Sequence, residues 1–201
     1  TGYDLPIGCA VLVGGRISPS FVGYDIGCGM LHQNIGPNID ILADEAGRRE
    51  VYARILERIP VGLGGKFAET QACPDFASVS EDKELNRKVR GIAPVQIGTL
   101  GAGNHFIEIG LNARGEYGIT IHSGSRNAGH AIASHYMALG RLFDLDSKNG
   151  RHYAADMHWA LEYALENRKH MLGAVLQAIF GENIPQFPTP FINENHNHAA
   201  I

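Results

Sequence analysis

Cysteine is scarce: the 201 residues hold three, Cys9, Cys28 and Cys73. A small odd number in a chain of this length argues against a secreted disulfide framework and for a reducing, cytoplasmic compartment. No apolar run approaches the ~18 residues of a membrane span, so no membrane-embedded role is expected. Basic charge is not in excess either. Lys and Arg number 17 against 21 Asp and Glu, leaving −4, which argues against an electropositive shell that binds nucleic acid indiscriminately. A local basic cleft or a bound cation stays open. The opening TGYDLPIG has neither a basic n-region nor an apolar h-region, so no export signal is read there. Sustained repeats, low-complexity tracts and obvious linkers are missing as well.

What the sequence does have is glycine and histidine. Its 25 glycines are about twice the usual ~7%, and its 10 histidines lie near Gly, Asn and Asp. The length implies one domain over residues 1–201 with a sizeable core. Thr1–Gly8 reads as the interior of a loop, and the chain stops abruptly at Asn195–Ile201 in a strand or turn. The domain is therefore expected to be incomplete at both ends.

Apolar patterning predicts strands over Ile7–Val13, Val95–Leu100, His105–Leu111 and Tyr117–His122. Helices are predicted over Asp40–Ile59, capped by Asp40 and stopped by Pro60, then Glu81–Val89, Arg126–Phe143 and about His152–Phe180. Tyr136, Tyr153, Trp159 and Tyr163 read as helix core, and Cys9 as core. Cys73 reads as a free thiol in a loop. His32, His130, His135, His152, His158 and His170 read as ordinary surface or helix residues. Pro185, Pro188 and Pro190 exclude a regular element before Phe191. Strands and helices mix without a βαβ rhythm, so the fold class is α+β, with mixed sheets and a long helical insertion.

Four segments share the same make-up, with a strand end, a glycine beside Asn or Ser, and a metal-capable side chain. In Tyr24–Gly29, Asp25 and Cys28 are three apart, and a carboxylate with a thiolate suits a transition metal. A thiolate can also bridge two metals. The plainer alternative makes Cys28 a small buried hydrophobe and Asp25 a turn cap. In Gly103–Glu108, strand alternation puts His105 and Ile107 on one face, Phe106 and Glu108 on the other. In Ile121–Arg126, His122 precedes Ser123-Gly124-Ser125-Arg126 at a helix start, where backbone amides, hydroxyls and a guanidinium can cradle an anion. N-capping by Ser123 or Ser125 is the alternative. In Asn193–His198, Asn-His-Asn-His fits either histidines on one strand face or an exposed polar end.

Taken together, PIGCAVLVGG, SPSFVGYDIGCGM, GTLGAGNHFIEI, HSGSRNAGHAI and NHNHA, in this order, resemble the RtcB-type RNA-splicing ligases over nearly the whole chain. The resemblance implies an RtcB-like catalytic core using GTP and two manganese ions. Cys28 would bridge the ions, with Asp25 and His105 completing one and His122 and His196 the other. Asn104, Phe106 and Glu108 would contact the guanine nucleotide, and Asn197 would lie near its phosphates. Arg126, with the Ser123–Ser125 turn, would hold an RNA or nucleotide phosphate.

The reaction so implied joins RNA 3′-phosphate ends to 5′-hydroxyl ends, in tRNA splicing or RNA repair. A histidine takes the guanylyl group from GTP and passes it to the 3′-phosphate. The 5′-hydroxyl then attacks and releases GMP, and a 2′,3′-cyclic phosphate is first opened by water. None of the ten histidines matches the position of the family's nucleophile, which lies beyond the NHN segment. Self-guanylylation of the chain as given is therefore not expected. Two alternatives remain: a metal- and nucleotide-binding module without ligation, and a metal-dependent cyclic phosphoesterase.

Overall fold

The computed structural model describes residues 4–6, 8–73, 80–187 and 189–201. The readings of Thr1–Gly8 as a loop and of a strand beginning at Ile7 lie partly outside the described residues, as does Pro188. In chain order the elements are β1 (Arg16–Ile17), α1 (Pro19–Val22), β2 (Gly29–Gly36), α2 (Asp40–Ala43), α3 (Glu45–Arg58) and α4 (Lys83–Gln96). They continue with β3 (Phe106–Leu111), β4 (Tyr117–Ser123), α5 (Arg126–Leu139), β5 (Phe143–Asp144), α6 (Lys148–Phe180) and β6 (Ile192–Asn195). Four strands form an antiparallel sheet in the order β3-β4-β2-β6, and β1 pairs with β5 separately. This is an α+β fold. Among the described residues no helix is long and apolar enough to cross a membrane.

The helix α6 organises the molecule. Its 33 residues run for about 50 Å at 1.5 Å per residue, and Ser147 caps its start through Gly150 N at 3.0 Å. Its first half carries Tyr153, Met157, Trp159 and Tyr163 into a core shared with α4 and α5. Its second half carries Met171, Val175 and Ile179 into another core, shared with the sheet and α3. The four aromatic residues expected in a helix core, Tyr136, Tyr153, Trp159 and Tyr163, are all buried.

Several expectations change. The predicted Asp40–Ile59 helix is two helices, because Asp44 breaks off and caps α3 by accepting from Gly47 N at 2.8 Å. The Glu81–Val89 helix starts at Lys83, capped by Asp82, and runs through Pro94 to Gln96. That run absorbs the start of the strand expected at Val95–Leu100; its apolar residues continue the helix stripe, with Val89, Ala93 and Ile97 in the core. The α5 helix ends at Gly140, leaving Phe143 to the short strand β5. Residues 9–13 form no strand, and Cys9 is exposed rather than core. The Gly29–Gly36 strand was not expected, since polar residues and bounding glycines mask its alternation.

Where α5 meets α6, Tyr136 Oη donates to Asp156 Oδ2 at 2.7 Å, and Asp156 is 2% exposed. Burial raises its carboxyl above the ordinary range, against the lowering pull of Ser80, Tyr136, His152 and His135. The unfolded chain therefore ionises this group first. The resulting loss of stability is absent below the unfolded value of ~3.9 and grows as pH rises through the folded one. Asp156→Asn keeps an accepting oxygen. It is expected to melt above the wild type at pH 8 and level with it at pH 3. A variant that melts lower at pH 8 contradicts this account of the contact.

Candidate metal centre

Antiparallel register gathers the chemistry at one end of the sheet. Gly29, at the start of β2, pairs with Ser123 at the end of β4 and with Asn195 at the end of β6. Phe106, at the start of β3, pairs with His122. Asp25 and Cys28 sit in the turn leading into β2, closed by Cys28 N donating to Asp25 O at 3.0 Å. His105 immediately precedes β3, His122 lies within β4, and His196 follows β6 with its amide on Cys28 O at 2.9 Å. Four strand ends thus deliver five side chains to one place.

These side chains form two triads that share the thiol: Asp25, Cys28 and His105, and Cys28, His122 and His196. Within each, the candidate ligand atoms all lie within 4.8 Å of one another. Cys28 Sγ is 3.6 Å from His105 Nε2 and 3.2 Å from His122 Nε2. His105 Nε2 is 2.9 Å from Asp25 Oδ2, and His122 Nε2 is 3.3 Å from His196 Nε2.

The hydrogen bonds on the far side of the rings decide what the near side can do. His105 Nδ1 faces Leu100 O at 3.0 Å, and His122 Nδ1 faces Asn104 O at 2.9 Å. A carbonyl only accepts, so both Nδ1 atoms carry the proton, and a neutral ring turns its Nε2 lone pair inward. This is how metal-bound histidines are commonly held. Inside, lone pairs of imidazole, thiol and carboxylate then converge at distances that need a proton or a cation between them. Burial and the neighbouring His122 and Arg168 lower His196, favouring its neutral ring. The donor set of carboxylate, thiolate and imidazole suits a borderline divalent ion.

The surroundings shift the groups of the site in different directions. Burial raises the Cys28 thiol, and the Asp25 carboxylate beside it raises it further. Burial raises Asp25 too, but His105, Cys28 and the Ser125 amide outweigh it and hold the carboxyl below its usual range. Burial brings Arg168 down to about 10, so it stays charged at neutral pH.

A cleft of about 550 Å³ opens onto this centre, with Asp25, Cys28, His105, Arg126, His196 and Asn197 among its lining residues. A volume of that order accepts a nucleotide-sized ligand. Asn104, Phe106 and Glu108 are exposed at and along β3, while Ile107 and Ile109 pack into the core, so the expected alternation is present. The Phe106 ring also meets His122 edge-on at 5.5 Å. Asn197 Nδ2 donates to Asp25 O at 3.3 Å, and Asn197 O accepts from Gly27 N, which ties the last segment to the glycine turn. His130, expected to be an ordinary helix residue, stacks on Tyr24 at 4.5 Å in the cleft wall.

The Ser123–Ser125 turn differs from the expected anion cradle. Both serines are fully buried. Ser123 Oγ donates to Leu100 O and Ser125 Oγ to Ile26 O, and neither caps α5. Ser125 N donates to Asp25 Oδ1 at 3.2 Å, so this donor serves the Asp25 carboxylate and not an external anion. Arg126 is buried, not solvated; its Nε donates to Thr99 Oγ1 and its Nη2 to Gly62 O, with the side chain in the cleft wall.

Sequence reasoning missed Asn167 and Arg168, which fasten the site from α6. The available signal was their position. They fall on the buried stripe of the helix, between Ala164 and Met171, where two polar residues are out of place.

The family model described as tRNA-splicing ligase RtcB matches residues 1–201. The RNA-splicing ligase RtcB of Escherichia coli K12 is 30% identical, over 98% of this chain and 57% of its own length. RtcB1 of Escherichia coli ATCC 25922 aligns to the same extent. The tRNA-splicing ligase RtcB of Pyrobaculum aerophilum is 26% identical over 69% of this chain and 38% of its own. The chain thus spans little more than half the length of these Escherichia coli relatives.

Proposed function

Because the chain belongs to the tRNA-splicing ligase RtcB family, we propose that it is the metal- and phosphate-binding part of a cytoplasmic RNA ligase. That ligase joins RNA 3′-phosphate or 2′,3′-cyclic phosphate ends to 5′-hydroxyl ends, using GTP and manganese. The observation that carries this reading is the pair of triads sharing Cys28. Asp25, Cys28 and His105 would hold one ion, and Cys28, His122 and His196 the other. When bound, such ions neutralise phosphate charge and polarise phosphoryl oxygens.

The remaining roles fall to the chain itself. The Leu100 and Asn104 carbonyls fix the two histidine rings, so the site is preorganised before substrate arrives. Arg126 supplies positive charge in the cleft wall, where RNA or nucleotide phosphate would lie. Asn104, Phe106 and Glu108 present two polar groups and an aromatic ring to the guanine nucleotide, and Asn197 orders the glycine turn beside its phosphates.

The test uses the ligase that contains this chain, with two RNA oligonucleotides, one ending in a 3′-phosphate and one beginning with a 5′-hydroxyl. Sealing is expected with manganese and GTP together and with neither alone, and His122→Ala should remove it. Sealing that persists without GTP, or after chelation, contradicts the proposal. Turnover of a cyclic phosphate with no sealed product under any condition favours a phosphoesterase.

A further inference from the structure

Two neighbouring residues of α6 touch nearly every segment that carries a metal-site residue. The Arg168 side chain is fully buried, and among the described residues it has no carboxylate partner. Its Nη1 donates to Gly27 O at 2.9 Å and to Ser123 O at 2.6 Å. Its Nε donates to Asn193 Oδ1 at 2.8 Å, and its Nη2 to Asn195 Oδ1 at 2.7 Å. Gly27, Ser123 and Asn195 directly adjoin Cys28, His122 and His196. Asn167 covers the other flank. Its Oδ1 accepts from Gly98 N and Thr99 N, and its Nδ2 donates to Thr99 O, Ser123 Oγ and Gly124 O. That binds the loop whose Leu100 carbonyl orients His105.

A buried arginine is a poor choice for stability alone, since an apolar side chain of similar volume usually serves as well. What only a guanidinium offers is a planar fork that reaches four oxygens at once. The need for it is clearest at β6. That strand has four residues, pairs with β2 alone and leaves Ile192 63% exposed, so little apolar burial anchors it.

We propose that Asn167 and Arg168 form a positioning clamp, and that Arg168, through Asn193 and Asn195, holds His196 against Cys28 and His122. The inference rests on the reading of the two triads as metal sites. Both residues are positioning residues; neither would touch metal or substrate. Loosening the clamp at β6 should weaken the ion held by His196 and largely spare the one held by Asp25 and His105. A loss of about 10–100-fold in affinity is usual when the partner behind a ligand is removed.

The test is a Co²⁺ titration of the chelator-stripped full chain, followed by absorption, for the wild type, Arg168→Lys, Asn195→Ala and Asn195→Asp. The metal-free melting temperature is measured for each. The wild type is expected to take two ions. Asn195→Ala should bind the first normally and the second about 10–100-fold more weakly, with its metal-free melting temperature near that of the wild type. Asn195→Asp keeps an oxygen for Arg168 and should restore the second ion. Should Arg168→Lys fail to fold, Asn195→Ala decides. Two ions with unchanged constants in Asn195→Ala overturn the clamp and leave the metal reading standing. A wild type that takes no ion overturns both.

Discussion

Replacing Cys28 with alanine is expected to abolish binding of both divalent ions at once. The reason is topological. Cys28 Sγ is the only ligand atom common to the two triads, and it lies between His105 Nε2 at 3.6 Å and His122 Nε2 at 3.2 Å. Removing it leaves each site with two protein ligands. The affinity lost should exceed the ~10–100-fold that follows loss of an outer partner. The fold should survive, because the side chain is small and its neighbours in the turn are held through backbone. Manganese titration with circular dichroism checks both points. One ion retained at wild-type affinity in Cys28→Ala contradicts the shared thiolate.

The second large effect is expected at glycine. A Cβ on Gly29 would sit 2.3 Å from Glu194 O and 2.8 Å from Asn195 Cα. These are backbone atoms and cannot swing aside, so Gly29→Ala must push β6 off β2 and carry His196 away from its triad. Overpacking of this kind typically costs about 1–3 kcal/mol. A Cβ on Gly124 instead meets Asp25 Oδ1 and Oδ2, at 2.3 and 2.4 Å. There a side chain moves, and the triad that suffers is the other one. Gly29→Ala is thus expected to lose the ion held by His196, and Gly124→Ala the ion held by Asp25. The two variants should give one-ion proteins with different spectra when loaded with Co²⁺. Identical spectra, or no loss in either, contradict the assignment of ligands to two separate centres.

How far the sequence foretold this structure depends on what each signal measured. The strands at 106–111 and 117–123 and the long helix to Phe180 were legible, since their apolar spacing is continuous and tertiary packing agrees with it. The strand Gly29–Gly36 was not, because His32, Gln33 and Asn34 break its apolar run. The stretch Val95–Leu100 misled for the opposite reason: its β-branched residues belong to the end of a helix and the turn after it. At the site, Asp25, Cys28, His105, His122 and His196 lie in segments where a strand end meets glycine, serine or asparagine, but it was the family resemblance, not their spacing, that joined them into one set. What no linear spacing carries is which strand ends meet. That follows from the register of β2 with β4 and β6. The inward turn of Ser123 and Ser125 was equally hidden, since a buried hydroxyl and a phosphate-binding one look the same in sequence. Arg168 was hidden by its place in a helix, though a charge within an apolar stripe asks for a partner.

A pair of divalent ions sharing one thiolate is what the site is proposed to hold. The most direct test is diffraction from manganese-loaded crystals with data collected at the manganese edge. Two anomalous peaks are expected, both beside Cys28 Sγ, one next to Asp25 and His105 and the other next to His122 and His196. A single peak, or peaks that leave Cys28 uncoordinated, would contradict it.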